Sequence, residues 1–344
     1  MSKKSPRSSK SASVLSDVPQ GRSKPGNRLL FRVLETNTRF HLFRDKESIL
    51  LALSGGPDST ALLYLFVLLR KKMNLRLSAI HVNYRLRGKD SDYDERFVKK
   101  LCEEQDIPLF IERPRGCAGK NEEFLRDIRY TIFETIRRET GCQSIAVAHT
   151  EDDQAETVLM RLIRGAGMDG LGAIRPKNEH LIRPLIDISK RDIIRFLKEG
   201  GHDFRKDATN NDTTIFRNKI RHHLIPLLEK DYQPGIKSIL ARTARIFAEQ
   251  GAEDGSRASE LSTVTIPNGV SFSRKELLKL SDAEQSREIR TLFRAVMKQQ
   301  KNPSEAFVHE CKKMLKSEKN KIQRLRSKQL NIEAKGDTVV MIKL

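Results

Sequence analysis

Residues 54–59 read Ser54-Gly55-Gly56-Pro57-Asp58-Ser59, between the apolar run Ser48–Leu53 and the helix-forming stretch Thr60–Leu69. The run before it reads as a buried strand and the stretch after it as a buried helix. Two glycines let the chain reverse sharply and let a ligand approach the backbone closely. The helix that follows presents unpaired N–H groups and a partial positive charge, the features that bind a phosphate. Asp58 and Ser59 fall at the helix start, where their side chains can cap it. The lysine-bearing phosphate loop, Gly-x-x-x-x-Gly-Lys-Ser/Thr, is not met here. A simple turn with an N-cap is the plain alternative, because small polar residues gather at any strand-to-helix corner.

Outward from this corner, strand-like and helix-like runs alternate. Candidate strands are Ile49–Leu53, Leu77–Val82, Leu109–Glu112, Ser144–Ala148 and Leu181–Pro184. Between them lie helical patterns at Thr60–Lys71, Ser91–Gln105, Glu122–Thr140 and Asp152–Arg164, and Leu29–Phe43 precedes them as an amphipathic helix. Such alternation implies an α/β fold, a doubly wound parallel sheet with helices on both faces and ligands outside the carboxyl ends of the strands. From Ser189 the pattern turns helical, through Lys190–Lys198, Phe216–Leu228 and a helix from Pro234 toward Gln250. Residues Gly251–Glu260 read as a hinge or loop. Beyond them, Val264–Ile266, Val270–Phe272 and Thr338–Lys343 are strand-like, and Ala283–Lys298 and Ser304–Lys316 helical. The tail reads as a smaller, mostly helical domain closed by a hairpin. The expected organisation is a basic leader over 1–27, a nucleotide-binding domain over 28–230, and a helical linker with a C-terminal domain over 231–344.

The 344 residues carry 65 Lys and Arg against 45 Asp and Glu, a net charge of +20 that extends beyond the leader. This excess exceeds what solubility requires and points to a polyanionic partner. With no tryptophan and 6% aromatics, binding through phosphates and shape is expected over a broad stacking platform. The leader is rich in Ser, Lys and Arg with Asp17 its only acid, and reads either as a transit peptide or as a disordered RNA-binding arm. No apolar stretch is long enough for a membrane span. Cys102, Cys117, Cys142 and Cys311 form no C-x-x-C pair or zinc pattern, which fits a reducing, cytoplasmic setting.

Further candidate residues fall at strand ends. After the second strand comes His81-Val82-Asn83-Tyr84-Arg85-Leu86-Arg87-Gly88, whose arginines can grip nucleotide or nucleic-acid phosphates, or simply form a polar loop. Arg126, Arg129 and Tyr130 share a face of the third of these helices, as solvated arginines also do. The fourth strand runs into Ala148-His149-Thr150-Glu151-Asp152-Asp153, with Glu156 three residues after Asp153 on the same helix face. Three acids at one corner can hold Mg²⁺ or a substrate ammonium; capping alone explains only Asp152. Gly165–Gly172 reads as a flexible loop able to act as a lid. Asp207–Arg221 runs from a capped turn into a helix carrying Arg217, Lys219 and Arg221, which fits a phosphate clamp or a basic surface equally well.

Residues 54–59 resemble the pyrophosphate loop, Ser-Gly-Gly-x-Asp-Ser, of enzymes that split ATP into AMP and pyrophosphate. Together with His81–Gly88, Arg126/Arg129/Tyr130, Ala148–Thr157, Arg183-Pro184-Leu185 and Asp207–Arg221, they resemble the tRNA(Ile)-lysidine synthetase family across about residues 45–230. Thr150 stands where the family usually has a second histidine, and the tail resembles the family's first C-terminal domain only loosely. The resemblance implies an adenine nucleotide alpha hydrolase-like fold, ATP and Mg²⁺ as cofactors, and tRNA(Ile) with a CAU anticodon and free L-lysine as partners. It implies no membrane partner, and a homodimer is one expectation for assembly. The implied chemistry adenylates oxygen 2 of the wobble cytidine; the side-chain amine of lysine then displaces AMP to form lysidine. On this basis Ser54, Gly55, Gly56, Pro57, Asp58, Ser59, His81 and His149 are assigned to ATP, and Asp58 with Asp152 to the metal. Asp153 and Glu156 are assigned to lysine, and Arg85, Arg87, Arg126, Arg217 and Lys219 to tRNA or phosphates. Asp58, Arg129, Asp153 and Arg221 are the catalytic candidates. The rival readings are a thiolating tRNA enzyme with the same loop, against which the unpaired cysteines speak, and a non-catalytic RNA-binding protein that keeps the fold.

Overall fold

The computed structural model describes residues 25–205, 215–256, 261–297, 303–317, 322–327 and 329–344. Residues 1–24 of the basic leader, 207–214 of the Asp207–Arg221 segment and 257–260 of the expected hinge lie outside the described residues. In chain order the elements are α1 (Pro25–Phe40), β1 (Ser48–Ala52), α2 (Pro57–Lys72), β2 (Arg76–Val82), α3 (Lys89–Glu104), β3 (Leu109–Glu112) and α4 (Glu122–Glu139). There follow β4 (Ser144–Ala146), α5 (Glu151–Ile163), the single turn α6 (Met168–Leu171), β5 (Lys177–Asn178), β6 (Leu181–Ile182) and α7 (Lys190–Glu199). Then come α8 (Phe216–Lys219), a π-helical turn over Ile220–Leu224, α9 (Ile225–Asp231) and α10 (Ile236–Ser256). The remainder is β7 (Thr263–Ile266), β8 (Gly269–Ser273), α11 (Arg274–Lys279), α12 (Asp282–Met297), α13 (Glu305–Lys316), β9 (Gln323–Arg326), β10 (Leu330–Lys335) and β11 (Thr338–Lys343).

The chain divides into two compact units, one of residues up to Met160 with Ala173–Arg245, the other of Arg161–Gly172 with Ile246–Leu344. The first holds a six-stranded sheet in the order β3-β2-β1-β4-β6-β5, parallel except for the β5–β6 pair. Strand β1 reads apolar throughout because both its faces are covered. Ile49 and Leu51 join a core with α1, α2, α3 and α7, while Leu50 faces Ile80, Ile145 and the α4 residues Phe133 and Ile136. Strand order reverses between β2 and β4 on either side of β1, so the crevice above the β1 and β4 ends is the expected ligand position. Helix α1 ends at Phe40, short of the expected Phe43, because His41 turns to φ 48° and sends Leu42 and Phe43 into the core.

The second unit packs α12 and α13 against a five-stranded antiparallel sheet, β7-β8-β11-β10-β9. The expected terminal hairpin is β10 with β11, antiparallel from Leu330↔Lys343 to Lys335↔Thr338, whereas β9 and the bounds of β10 were not read from the sequence. Leu330, Ile332 and Ala334 are buried while Asn331 and Glu333 between them are not, a period-2 pattern that charge-rich flanks obscured. Helix α10 runs through Ser256, into the stretch expected to be a hinge. Two glycines, at about 1 kcal/mol each, do not outweigh continuing a formed helix. The Gly165–Gly172 loop contains one helical turn, closed by Leu171 N–H donating to the Gly167 carbonyl. No described helix is long and apolar enough to cross a membrane.

Candidate active site

The glycine corner leaves β1 and enters α2. Gly55 has φ +85°, and its carbonyl accepts from the Arg205 backbone N–H at 2.9 Å. Gly56 is the α2 N-cap with an ordinary extended backbone and no side chain to offer the first-turn N–H groups, which stay available to a phosphate. The expected capping by Asp58 and Ser59 is therefore corrected. Ser59 Oγ donates to the Gly56 carbonyl at 3.0 Å and accepts from Ser54 N–H at 3.2 Å, tying the loop to itself. Asp58 points instead toward Lys190 Nζ, 3.4 Å away. A methyl at Gly55 would sit 3.4 Å from Phe97 and Val98 in a strained backbone region, whereas one at Gly56 meets only Ser54 Oγ at 3.5 Å. Gly55→Ala is accordingly expected to cost about 1–2 kcal/mol of stability. Gly56→Ala should leave the melting temperature within about 2 °C while weakening nucleotide binding, and thermal melts with and without ATP check both.

The second corner follows β4, whose residues pair in register with β1 (Ile49↔Ser144, Leu50↔Ile145, Leu51↔Ala146). Thr150 and Asp153 form a reciprocal cap on α5. Asp153 Oδ2 accepts from Thr150 N–H at 2.9 Å and from its hydroxyl at 3.0 Å, and Thr150 Oγ1 accepts from Asp153 N–H at 3.3 Å. The residue at the position of the family's second histidine is thus the one that orients Asp153, a role the sequence reading did not find. Thr150→Ala is expected to cost about 1 kcal/mol, read by urea denaturation.

Asp153 Oδ1 accepts from Arg217 at 2.7 Å. Glu156, 2% exposed, accepts from Arg217 Nε at 2.7 Å and from Arg221 Nε and Nη2 at 2.5 and 2.9 Å. Both its oxygens accept from arginines and, unlike Asp153, it does not line the cavity; in this structure Glu156 holds the two arginines. The π-helical turn lies directly after α8 and carries Arg221, so both guanidiniums reach one carboxylate. Asp152 also departs from expectation. One oxygen accepts from the Lys190 backbone N–H at 2.7 Å and the other pairs with Lys237 at 3.3 Å, which joins α5 to α7 and α10, and Asp152 does not line the cavity.

Both corners open on one cavity of about 600 Å³, within the range of small-molecule sites. Of the residues assigned to ATP, Ser54, Gly56, Asp58, Ser59, His81 and His149 line it, whereas Gly55 and Pro57 do not. Arg87, Arg129, Asp153, Arg217 and Arg221 also line it. Arg85, Arg126 and Lys219 are exposed and lie off the wall, Arg126 being stacked on Tyr130 at 5.5 Å. The wall further includes Asp94, which the sequence reading passed over and which bridges Arg87 at 2.6 Å and Arg205 at 3.0 Å.

Burial pushes the Asp58 carboxyl up to about 6, against the pull of Lys190. Its Oδ1 is buried without a hydrogen-bond partner. An orphaned carboxylate oxygen on the cavity wall suits Mg²⁺, which is commonly held by one or two carboxylates with phosphates and water. Among the described residues no cluster of three or more His, Cys, Asp or Glu could hold a metal by itself. His81 donates from Nδ1 to the Leu53 carbonyl at 2.8 Å, and burial lowers its pKa. Burial alone would raise Asp153; Arg217 and the Thr150 hydrogen bonds bring it below the ordinary carboxylate value.

A glycine corner feeding a helix at the switch point of a parallel sheet, with an arginine-braced acidic corner beside it, defines a nucleotide-binding α/β domain. The profile of the family described as the PP-loop domain matches residues 31–228. A tRNA(Ile)-lysidine synthase of Caldanaerobacter subterraneus subsp. tengcongensis is 38% identical over 228 residues, covering 64% of this chain and 49% of that protein. That of Chlorobaculum tepidum is 39% identical over 229 residues, covering 65% of this chain and 69% of that protein. The U34-tRNA thiolase NcsA of Methanococcus maripaludis, solved with its [4Fe-4S] cluster, superimposes with a TM-score of 0.55 at 25% identity, over 64% of this chain and 78% of that one. The chain belongs to the PP-loop family and, within it, to the tRNA(Ile)-lysidine synthases. It spans about half the length of the first curated relatives it matches.

Proposed function

We propose that the protein ligates free L-lysine to carbon 2 of the wobble cytidine of tRNA(Ile) with a CAU anticodon, consuming ATP and releasing AMP and pyrophosphate, in the cytoplasm. One arrangement carries the reading: Ser54, Gly56 and Asp58 share a single cavity with Asp153, Arg217 and Arg221. In the first step oxygen 2 of the cytidine attacks the α-phosphorus of ATP, and the bond to the bridging oxygen breaks to release pyrophosphate. In the second the lysine side-chain amine attacks carbon 2, the carbon–oxygen bond breaks, AMP leaves and the amine loses a proton.

The loop N–H groups would hold the departing pyrophosphate, and Asp58 would contribute one oxygen to Mg²⁺. When bound, that ion neutralises phosphate charge. Arg129, Arg217 and Arg221 would stabilise charge developing on the phosphates. Asp153, the acid of its cluster that lines the cavity, would receive the lysine ammonium. The exposed Arg85, Arg126 and Lys219 would contact the tRNA backbone, with affinity falling steeply as salt rises. The target base must leave its stack to enter the cavity. Thiolation is the weaker reading, because all four cysteines are buried and none lines the cavity.

Incubating the protein with ATP, lysine and unmodified tRNA(Ile), and omitting each in turn, tests the proposal. AMP release should require tRNA, and the digested tRNA should yield a cytidine derivative heavier by lysine less water. AMP release independent of tRNA, or a product containing sulfur, would overturn it.

A further inference from the structure

Arg183, the first residue of the Arg183-Pro184-Leu185 run, has no part in the chemistry above, yet it is among the most firmly held charged side chains of the first unit. It follows β6 and is 5% exposed. Its backbone N–H donates to the Pro176 carbonyl at 2.9 Å and its Nη1 to the Arg175 carbonyl at 2.6 Å. Its Nε donates to His149 Nδ1 at 3.1 Å.

A guanidinium has donors only. The nitrogen of His149 that faces it must therefore offer a lone pair, and the single proton of the neutral ring must sit on Nε2. The charged groups that act on His149 are Arg183 after β6, Asp153 on α5, Arg217 on α8 and Arg126 on α4. Burial, then the Arg183 charge, lowers the His149 pKa to about 3, so the ring stays neutral in any physiological solution. Among the described residues no side chain or carbonyl is bonded to Nε2, and His149 lines the cavity.

We propose that Arg183 is a positioning residue that fixes His149 as a neutral Nε2–H donor, so that His149 serves the bound nucleotide by donating to an anionic phosphate oxygen and neither takes nor delivers a proton. The tautomer follows from the hydrogen-bond geometry alone; the phosphate as acceptor rests on the proposed ATP reaction. The consequence is chemical: with Nδ1 engaged and Nε2 protonated, the ring has no lone pair for the proton lost by the incoming amine.

Long-range ¹H–¹⁵N spectra of the histidine rings in the full chain test this, with the His149 signals assigned by their loss in His149→Gln. The expected wild-type result is the Nε2–H tautomer, unchanged from pH 5.5 to 8.5. An Nδ1–H ring, or a His149 that titrates in that range, would overturn the proposal whether or not the protein forms lysidine. Arg183→Lys, which keeps a donor-only cation, should preserve the tautomer. Arg183→Met removes the donor facing Nδ1 and should let the Nδ1–H tautomer appear in the ring spectrum. If Arg183→Met does not fold, the wild-type spectrum decides. His149→Gln, whose amide can still donate, should retain at least tenfold more AMP release than His149→Ala; equal losses would argue against a donor role.

Discussion

Replacing Glu156 by alanine is expected to lower the unfolding free energy by about 3–5 kcal/mol, the cost of removing one partner from a buried ion network. Glu156 is 2% exposed and neutralises Arg217 and Arg221 together, and its own helix packs through Ala155 and Leu159 against Ile220 and Ile225. Without the carboxylate, two guanidiniums lie close together with Asp153 still paired to them. Replacing Glu156, Arg217 and Arg221 together by apolar residues of similar volume should destabilise far less than Glu156→Ala alone, since no charge is then stranded. Urea denaturation of the two variants distinguishes the cases. A loss below about 1 kcal/mol for Glu156→Ala would show that the network is wet and weak.

Asp58→Asn should act in the opposite direction on stability while removing activity. The folded-state pKa of Asp58 is raised from 3.8 to about 6, so between these values the native state holds a proton that the unfolded chain has released. Stability therefore falls as pH rises through that window, and the penalty is fully present above about pH 6. Asparagine removes it. The gain at pH 7.5 is expected to be on the order of 1–3 kcal/mol, an upper range because the side chain is 22% exposed, and it should vanish near pH 3.8. Tm measured against pH for the ligand-free variant and wild type reads this directly. AMP release should drop by about 10²–10³-fold in the same variant, the size of losing one preorganised charge contact. A variant neither stabilised at neutral pH nor impaired in turnover would remove Asp58 from the centre of the site.

The alternating apolar runs located the five parallel-sheet segments and the helices between them to within a few residues, because strands buried on both faces must be apolar throughout. Ser54–Ser59 was legible as a phosphate corner for a similarly local reason: glycine conformations and helix N-termini act over a few residues. Strand β9 and the bounds of β10 in the terminal hairpin were missed although the alternation is present, since charged flanks resembled surface. What no local pattern contained was the fate of each carboxylate. Asp152, Asp153 and Glu156 are neighbours on one helix, yet one braces α7 and α10, one faces the cavity, and one is enclosed by two arginines from a segment sixty residues later. The roles of Arg183 and Thr150 were not legible because their partners, His149 and Asp153, are defined by contact and tautomer.

The sequence by itself determined the kind of chemistry: a glycine corner for phosphate, a basic chain for a polyanion, and a parallel sheet to carry them. Tertiary structure alone decided which residues share the cavity. Pairing of β1 with β4 sets two corners nearly a hundred residues apart at adjacent strand ends, a few ångströms of sheet spacing from one another. Charge placement follows from that adjacency, because a carboxylate's role depends on which cation lies within hydrogen-bonding reach, and that distance exists only once the chain has folded.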